Sequence, residues 1–212
     1  MIGEMVAESD AFVLDSGEYQ NLCSRVAVTF DLSARLPGQV FKKDGGDSLF
    51  CEFDSVLAPE LWPALCELAR WHGDSCVDLL VLEPSCEAFY FPEYRMYPAL
   101  SLSVDADEDD YWTAVGYEPN GEILGSIAKS AEIIAVSGRS GKWGCWGERS
   151  DEVAVFQGFP DSRARNEWWT RYGPFMEVAD ALQTYVYPAP ARRTVSKEYA
   201  TKLTANYCPS WV

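Results

Sequence analysis

The sequence predicts an α+β fold, a mainly antiparallel sheet with a central β-meander over residues 131–159, covered by helices near 59–71 and 174–185. Three observations carry this expectation. Ala131–Ser137, Lys142–Trp146 and Glu152–Phe159 follow one another at strand length, and the segments between them hold the Gly, Ser and Asp that tight turns need. The first and third strands are apolar on both faces: Ile133 and Ala135 alternate with Ile134 and Val136, and Val153 and Val155 with Ala154 and Phe156. Such strands belong in a sheet interior with helix over at least one side. Finally, Leu61, Leu65, Leu68 and Ala69 share one helical face, as do Phe175, Val178, Ala179 and Leu182.

From the N-terminus, Phe12, Val13 and Leu14 read as a short edge strand, and Arg25–Asp31 as another, because its β-branched and aromatic residues alternate with small ones. Pro37-Gly38 marks a turn, after which Val40–Lys43 and Leu49–Phe53 form a hairpin around an Asp44–Asp47 loop. Pro59 suits the first turn of the next helix, Glu60 complements its dipole, and Gly73 stops it. Val77–Leu82 is a buried strand ended by Glu83-Pro84, residues 86–98 an aromatic, Pro-broken loop, and Ala99–Val104 an alternating strand. Asp105–Asp110 caps a short helix running through Trp112 to Tyr117. Pro160–Tyr172 is a polar stretch carrying Trp168 and Trp169. The helix over 174–185 ends before Pro188–Pro190, and a last helix starts from a Thr194 cap and reaches Asn206. No repeat or linker interrupts the chain, so residues 1–212 read as one α+β domain, with 190–212 as a C-terminal extension if 188–193 is a hinge.

The chain is 48% hydrophobic and 14% aromatic over 212 residues, which supplies a packed core and argues against disorder. Its opening residues lack the basic and apolar regions of a secretory signal, and no apolar run approaches the roughly 18 residues of a membrane span. Seven Cys with no C-x-x-C spacing are expected to be reduced, mostly buried thiols, which points to the cytoplasm. Charge is unevenly placed. Residues 1–112 hold 6 Lys or Arg against 22 Asp or Glu, while 113–212 hold 11 of each, so the whole formal charge of −16 belongs to the first half. Such a surface repels nucleic acid and anionic membranes and speeds encounter with basic partners.

Few motifs for chemistry stand out, and no cofactor is implied. His72, the single histidine, sits at a helix C-terminus, where the dipole favours positive charge. Gly138–Lys142 lacks the glycine spacing and following helix of a phosphate loop. Asp105, Asp107 and Asp109 match the first, third and fifth positions of a calcium loop, but Asp110 and Gly116 stand where Gly and Glu are required. The cluster Asp105, Asp107, Glu108, Asp109 and Asp110 is therefore either a solvated helix start or an acidic contact surface. Trp143 and Trp146 fall on opposite sides of a regular strand and are either core or binding anchors beside Glu148 and Asp151; Trp112 shares that ambiguity.

The segment Lys142-Trp-Gly-Cys-Trp-Gly-Glu-Arg-Ser-Asp-Glu-Val-Ala-Val-Phe156 resembles one found in bacterial immunity proteins of polymorphic and interbacterial toxin systems. There a Trp-Gly strand, an acidic turn and an apolar strand precede a helix near the C-terminus. The resemblance implies a small cytoplasmic, non-enzymatic α+β protein that binds a cognate toxin and blocks it, the acidic surface suiting a basic toxin. Two other functions remain open: an adaptor, effector chaperone or regulator, marked by an aromatic pocket around 89–97, and a carboxylate enzyme, marked by acids converging in one cleft.

Overall fold

The computed structural model describes residues 12–13, 15–43, 46–184 and 195–208. Its strands are β1 (Leu49–Glu52), β2 (Cys76–Glu83), β3 (Ala99–Ser103), β4 (Ile133–Gly138), β5 (Gly144–Glu148) and β6 (Val153–Gln157). They form one antiparallel sheet in the order β1-β6-β5-β4-β2-β3. The helices are α1 (Ser16–Thr29), α2 (Phe53–Val56), α3 (Trp62–Trp71), α4 (Phe91–Tyr94), α5 (Glu108–Val115), α6 (Ile127–Ser130), α7 (Ser162–Tyr172), α8 (Val178–Thr184) and α9 (Lys197–Tyr207).

The expected meander is β4–β5–β6, with Val136 opposite Cys145 and Trp146 opposite Val155. Its two-sided apolar pattern is used in full, because helices cover both faces. On one side Leu79, Leu102, Val136, Cys145 and Phe156 pack with Leu65 and Leu68 of α3, Tyr111 of α5 and Trp168 of α7. On the other, Leu80, Ala135, Trp146 and Val155 pack with Leu22 and Val26 of α1, Val178 of α8, and Leu203 and Tyr207 of α9. Leu65 and Leu68 are wholly buried, and each such side chain contributes about 1.5–3 kcal/mol over its exposed state. The helices predicted near 59–71 and 174–185 thus lie on opposite faces of the sheet.

Several elements differ from expectation. Arg25–Asp31 is not a strand: through Thr29 it is the second half of α1, whose N-cap Asp15 accepts from the Gly17 and Glu18 amides at 2.7 and 2.9 Å. Leu22, Val26 and Thr29 recur at helical spacing and are buried, so burial on the sheet outweighs the β-branched composition. The predicted hairpin of Val40–Lys43 with Leu49–Phe53 does not form. Phe41 instead bridges Phe30, and β1 pairs with β6, where Leu49 and Cys51 face one core and Phe50 the other. Of its expected loop, 44–45 lie outside the described residues.

The polar stretch 160–172 contains α7, capped by Asp161, which accepts from the Ala164 amide at 2.8 Å. Only Arg165 and Trp168 of α7 are buried, so its apolar periodicity is faint. The helix expected from 174 begins at Val178, because Met176 exchanges backbone hydrogen bonds with Phe50 at 2.8 and 2.9 Å. Ser196 caps α9; Thr194, Pro188–Pro190 and the expected hinge lie outside the described residues. At the opposite edge Phe12 bridges Leu100 beside β3, as the edge-strand reading anticipated, while Leu14 is likewise outside them. Among the described residues no helix is long and apolar enough to cross a membrane. All seven cysteines are free, and Cys51, Cys66, Cys86 and Cys145 are buried.

Candidate functional site

The acidic cluster opens α5. Asp107 accepts from the Asp110 amide at 2.9 Å while Asp110 accepts from the Asp107 amide at 3.1 Å, a reciprocal cap that satisfies two backbone donors. The inner face of the helix is fixed by Tyr111, which stacks on Trp62 at 4.9 Å between ring centroids and donates to the Val56 carbonyl at 2.7 Å. Trp62 in turn donates to the Ala106 carbonyl at 2.8 Å, tying the turn before α5 to α3. With that face anchored, Asp105, Glu108, Asp109 and Trp112 project outward, Trp112 with 47% of its surface exposed.

Asp105, Asp107, Glu108, Asp109 and Asp110 are all exposed, and among the described residues none is in an ion pair. Two of them cap the helix, and the dipole favours acids in its first turn. The dipole thus favours Glu108 and Asp109 as well as the capping pair, Asp105 lies outside the helix, and the carboxylates of all five remain exposed to solvent. A groove of about 490 Å³ runs from this cluster along α3, floored by Trp62, Pro63, Cys66 and Val104 and bordered by Arg70. Arg70 is oriented by donating to the Val104 carbonyl. Burial pushes the Cys66 thiol up to about 11, so it is protonated and weakly nucleophilic at neutral pH. A flexible cationic side chain entering this groove would meet apolar floor and carboxylate rim together.

The other sequence-predicted contact residues are not on this surface. Trp143 and Trp146 do fall on opposite sides of the sheet, but both are buried, so neither is an accessible anchor. Their indole N–H groups are spent internally, Trp143 on Asp74 at 3.0 Å and Trp146 on Glu148 at 2.8 Å. Glu148 is buried, accepts also from the Leu36 amide at 2.8 Å, and burial raises its pKa against the pull of those bonds. Asp151 is buried beneath α9, where Tyr199 donates to it; burial raises its pKa as well. Trp146, Glu148 and Asp151 hold the meander to the 36–41 segment and α9, which cover them, while Trp143 ties the turn before β5 to the end of α3.

The aromatic loop also turns inward, with Tyr90 buried and Phe89 and Tyr94 resting on the core. The His72 ring Nε2 lies 2.6 Å from the Gly158 carbonyl, linking the end of α3 to the end of β6. Among the described residues no group of three or more His, Cys, Asp or Glu side chains converges as a metal site.

Sequence reasoning missed Asp74, a buried carboxylate that accepts from the Ser140 amide at 2.6 Å and its hydroxyl at 2.7 Å as well as from Trp143. Its one signal was an acid directly after the Gly73 helix stop, a position that reads as solvent-facing unless the 140–143 turn is known to fold over it. Comparison with protein-family models, with curated proteins and with solved structures finds no match to this chain.

Proposed function

We propose that this chain is a cytoplasmic immunity protein that binds a cognate bacterial toxin of basic character and blocks it, docking through α5 and the groove beside it. The single observation that supports this most is the set of five exposed carboxylates at 105–110, without ion pairs among the described residues, beside the half-exposed Trp112. Uncompensated acids steer a basic partner, and an aromatic side chain among them supplies the apolar contact that slows dissociation. The likeness of Lys142–Phe156 to immunity proteins supports the same reading, although that segment serves as core here.

The test begins with whatever co-purifies from the native cell at equal stoichiometry. Its association should slow steeply with added salt, and the double variant Glu108→Lys, Asp109→Lys should slow it further while leaving the Asp107–Asp110 cap intact. The chain should also abolish the partner's own activity at a one-to-one ratio. A partner whose activity persists in the complex makes the chain an adaptor or chaperone, and association indifferent to both salt and charge reversal removes α5 as the docking surface.

A further inference from the structure

One layer of the sheet is polar where its neighbours are apolar. Register sets Ser101 opposite Asp78, Asp78 opposite Ser137, Ser137 opposite Gly144, and Gly144 opposite Gln157. These positions alternate with the α3-facing residues, so the row faces the C-terminal end of α1. At one end Asp78 is paired through Oδ2 with Arg25 at 2.6 Å, while its Oδ1 and the neighbouring Ser137 hydroxyl have no hydrogen-bond partner. The other end holds two more such groups, and these two open onto a cavity. Gln157 is 1% exposed and gives its amide N–H to Ser48 Oγ at 2.9 Å, yet its Oε1 has no hydrogen-bond partner. Thr29, 6% exposed, has an equally unpartnered hydroxyl. A polar group left buried and unpaired destabilises the fold, so a ligand that pairs with it recovers that loss.

Both residues line the same cavity, of about 170 Å³. Phe41 contributes an apolar wall, and the backbone of Gly141 and Gly158 closes two others. At Gly158, with φ +97°, a Cβ would stand 2.3 Å from the Lys142 carbonyl oxygen, so no side chain larger than hydrogen fits that wall. A Cβ at Gly141 would lie 3.8 Å from Thr29 Oγ1, which puts the hydroxyl beside this turn. Trp143 and the exposed Lys43 and Lys142 complete the lining, the two lysines bringing positive charge to a chain of net −16.

We propose that this cavity binds a small organic carboxylate that carries a hydroxyl or N–H donor at its other end. A ligand hydroxyl donates to Gln157 Oε1 and accepts from the Thr29 hydroxyl, or an amino group gives one hydrogen to each, while the apolar body lies against Phe41 and the carboxylate pairs with Lys43 and Lys142. A cavity of about 150 Å³ accepts benzene, with its six carbon atoms, so this one encloses a single six-membered ring and its donor, about seven non-hydrogen atoms, and the carboxylate lies at the mouth beside the exposed lysines. This site is independent of the acidic surface on α5, which shares none of its lining residues.

The experiment is protein-observed NMR on the full chain with 4-hydroxybenzoate, against 4-hydroxybenzamide, which lacks the charge, and benzoate, which lacks the donor. Expected are saturable shifts at the Gln157 side-chain amide and the Gly158 amide with 4-hydroxybenzoate, and binding about tenfold weaker for each analogue. Thr29→Val, which removes only the unpartnered hydroxyl, should keep or raise the melting temperature while weakening 4-hydroxybenzoate about tenfold, and Lys142→Gln should weaken it comparably. Three results overturn the proposal: equal binding of all three compounds, a melting temperature that falls in Thr29→Val, or no saturable shift at about 10 mM ligand, where a millimolar Kd would be evident.

Discussion

Replacing Asp74 with alanine should be among the most damaging changes outside the apolar core. The carboxylate is buried just after the α3 stop at Gly73 and receives three donors: the Ser140 amide at 2.6 Å, the Ser140 hydroxyl at 2.7 Å and Trp143 Nε1 at 3.0 Å. A hydrogen bond to a charged group contributes about 1.5–3 kcal/mol net, and a donor left buried costs about 1–3. Ser140 is only half-buried and regains water, whereas the Trp143 ring is 1% exposed and does not. The expected loss is therefore about 3–5 kcal/mol, a large share of the roughly 5–15 kcal/mol that holds a typical domain. Urea unfolding followed by tryptophan fluorescence should show a midpoint lowered by about 1–2 M at unchanged slope. Trp143→Phe, which removes the trapped donor, should make the Asp74→Ala change less costly by about 1 kcal/mol or more in a double-mutant cycle. A midpoint shift below about 0.3 M for Asp74→Ala, or additive effects of the two changes, would refute the assignment of Asp74 as the tie between α3 and the β4–β5 turn.

Burial raises the pKa of both Glu148 and Asp151 in the folded state. Their stabilising contribution is fully present below the ordinary carboxylate range near 4 and is lost as pH rises through the raised values, so Glu148→Gln with Asp151→Asn should flatten thermal stability over that window. A double variant with the wild-type pH slope would contradict this. Gly144→Ala places a Cβ 2.4 Å from Phe30 Cζ and 3.0 Å from the Val136 carbonyl; an overpacked core of this kind should cost about 1–3 kcal/mol in chemical denaturation. Asp107→Ala, which breaks the reciprocal cap of α5, should cost about 1 kcal/mol in the same measurement and leave the core tryptophan signal unchanged.

Much of the architecture is written in local pattern. The meander, α3 with its Gly73 stop, and the capped start of α5 were legible because turn residues, periodicity and caps act over a few positions, although Pro59 opens a 3-10 turn over Pro59–Leu61 and α3 itself begins at Trp62. Where pattern and packing disagreed, packing won. Arg25–Thr29 has strand-like composition but belongs to α1, since Leu22, Val26 and Thr29 find the sheet only as a helix. In α7 only Arg165 and Trp168 are buried, too few for periodicity to register. The pairing of β1 with β6 rather than with 40–43 joins residues about a hundred positions apart, and no local signal encodes such a choice.

The same division holds for the candidate site. That the acids of 105–110 cap a helix and that Trp143 and Trp146 face opposite ways can be read locally, because both follow from helix ends and the two-residue period of a strand. Which of these residues meet solvent is a matter of how the elements pack. A strand's period tells which side a residue faces but not what lies above it, and here α9 and the 36–41 segment cover Glu148 and Asp151 while nothing covers α5's outer face among the described residues. Exposure depends on contacts between elements far apart in the chain, so it is set by the packing of the whole molecule rather than by any segment of it.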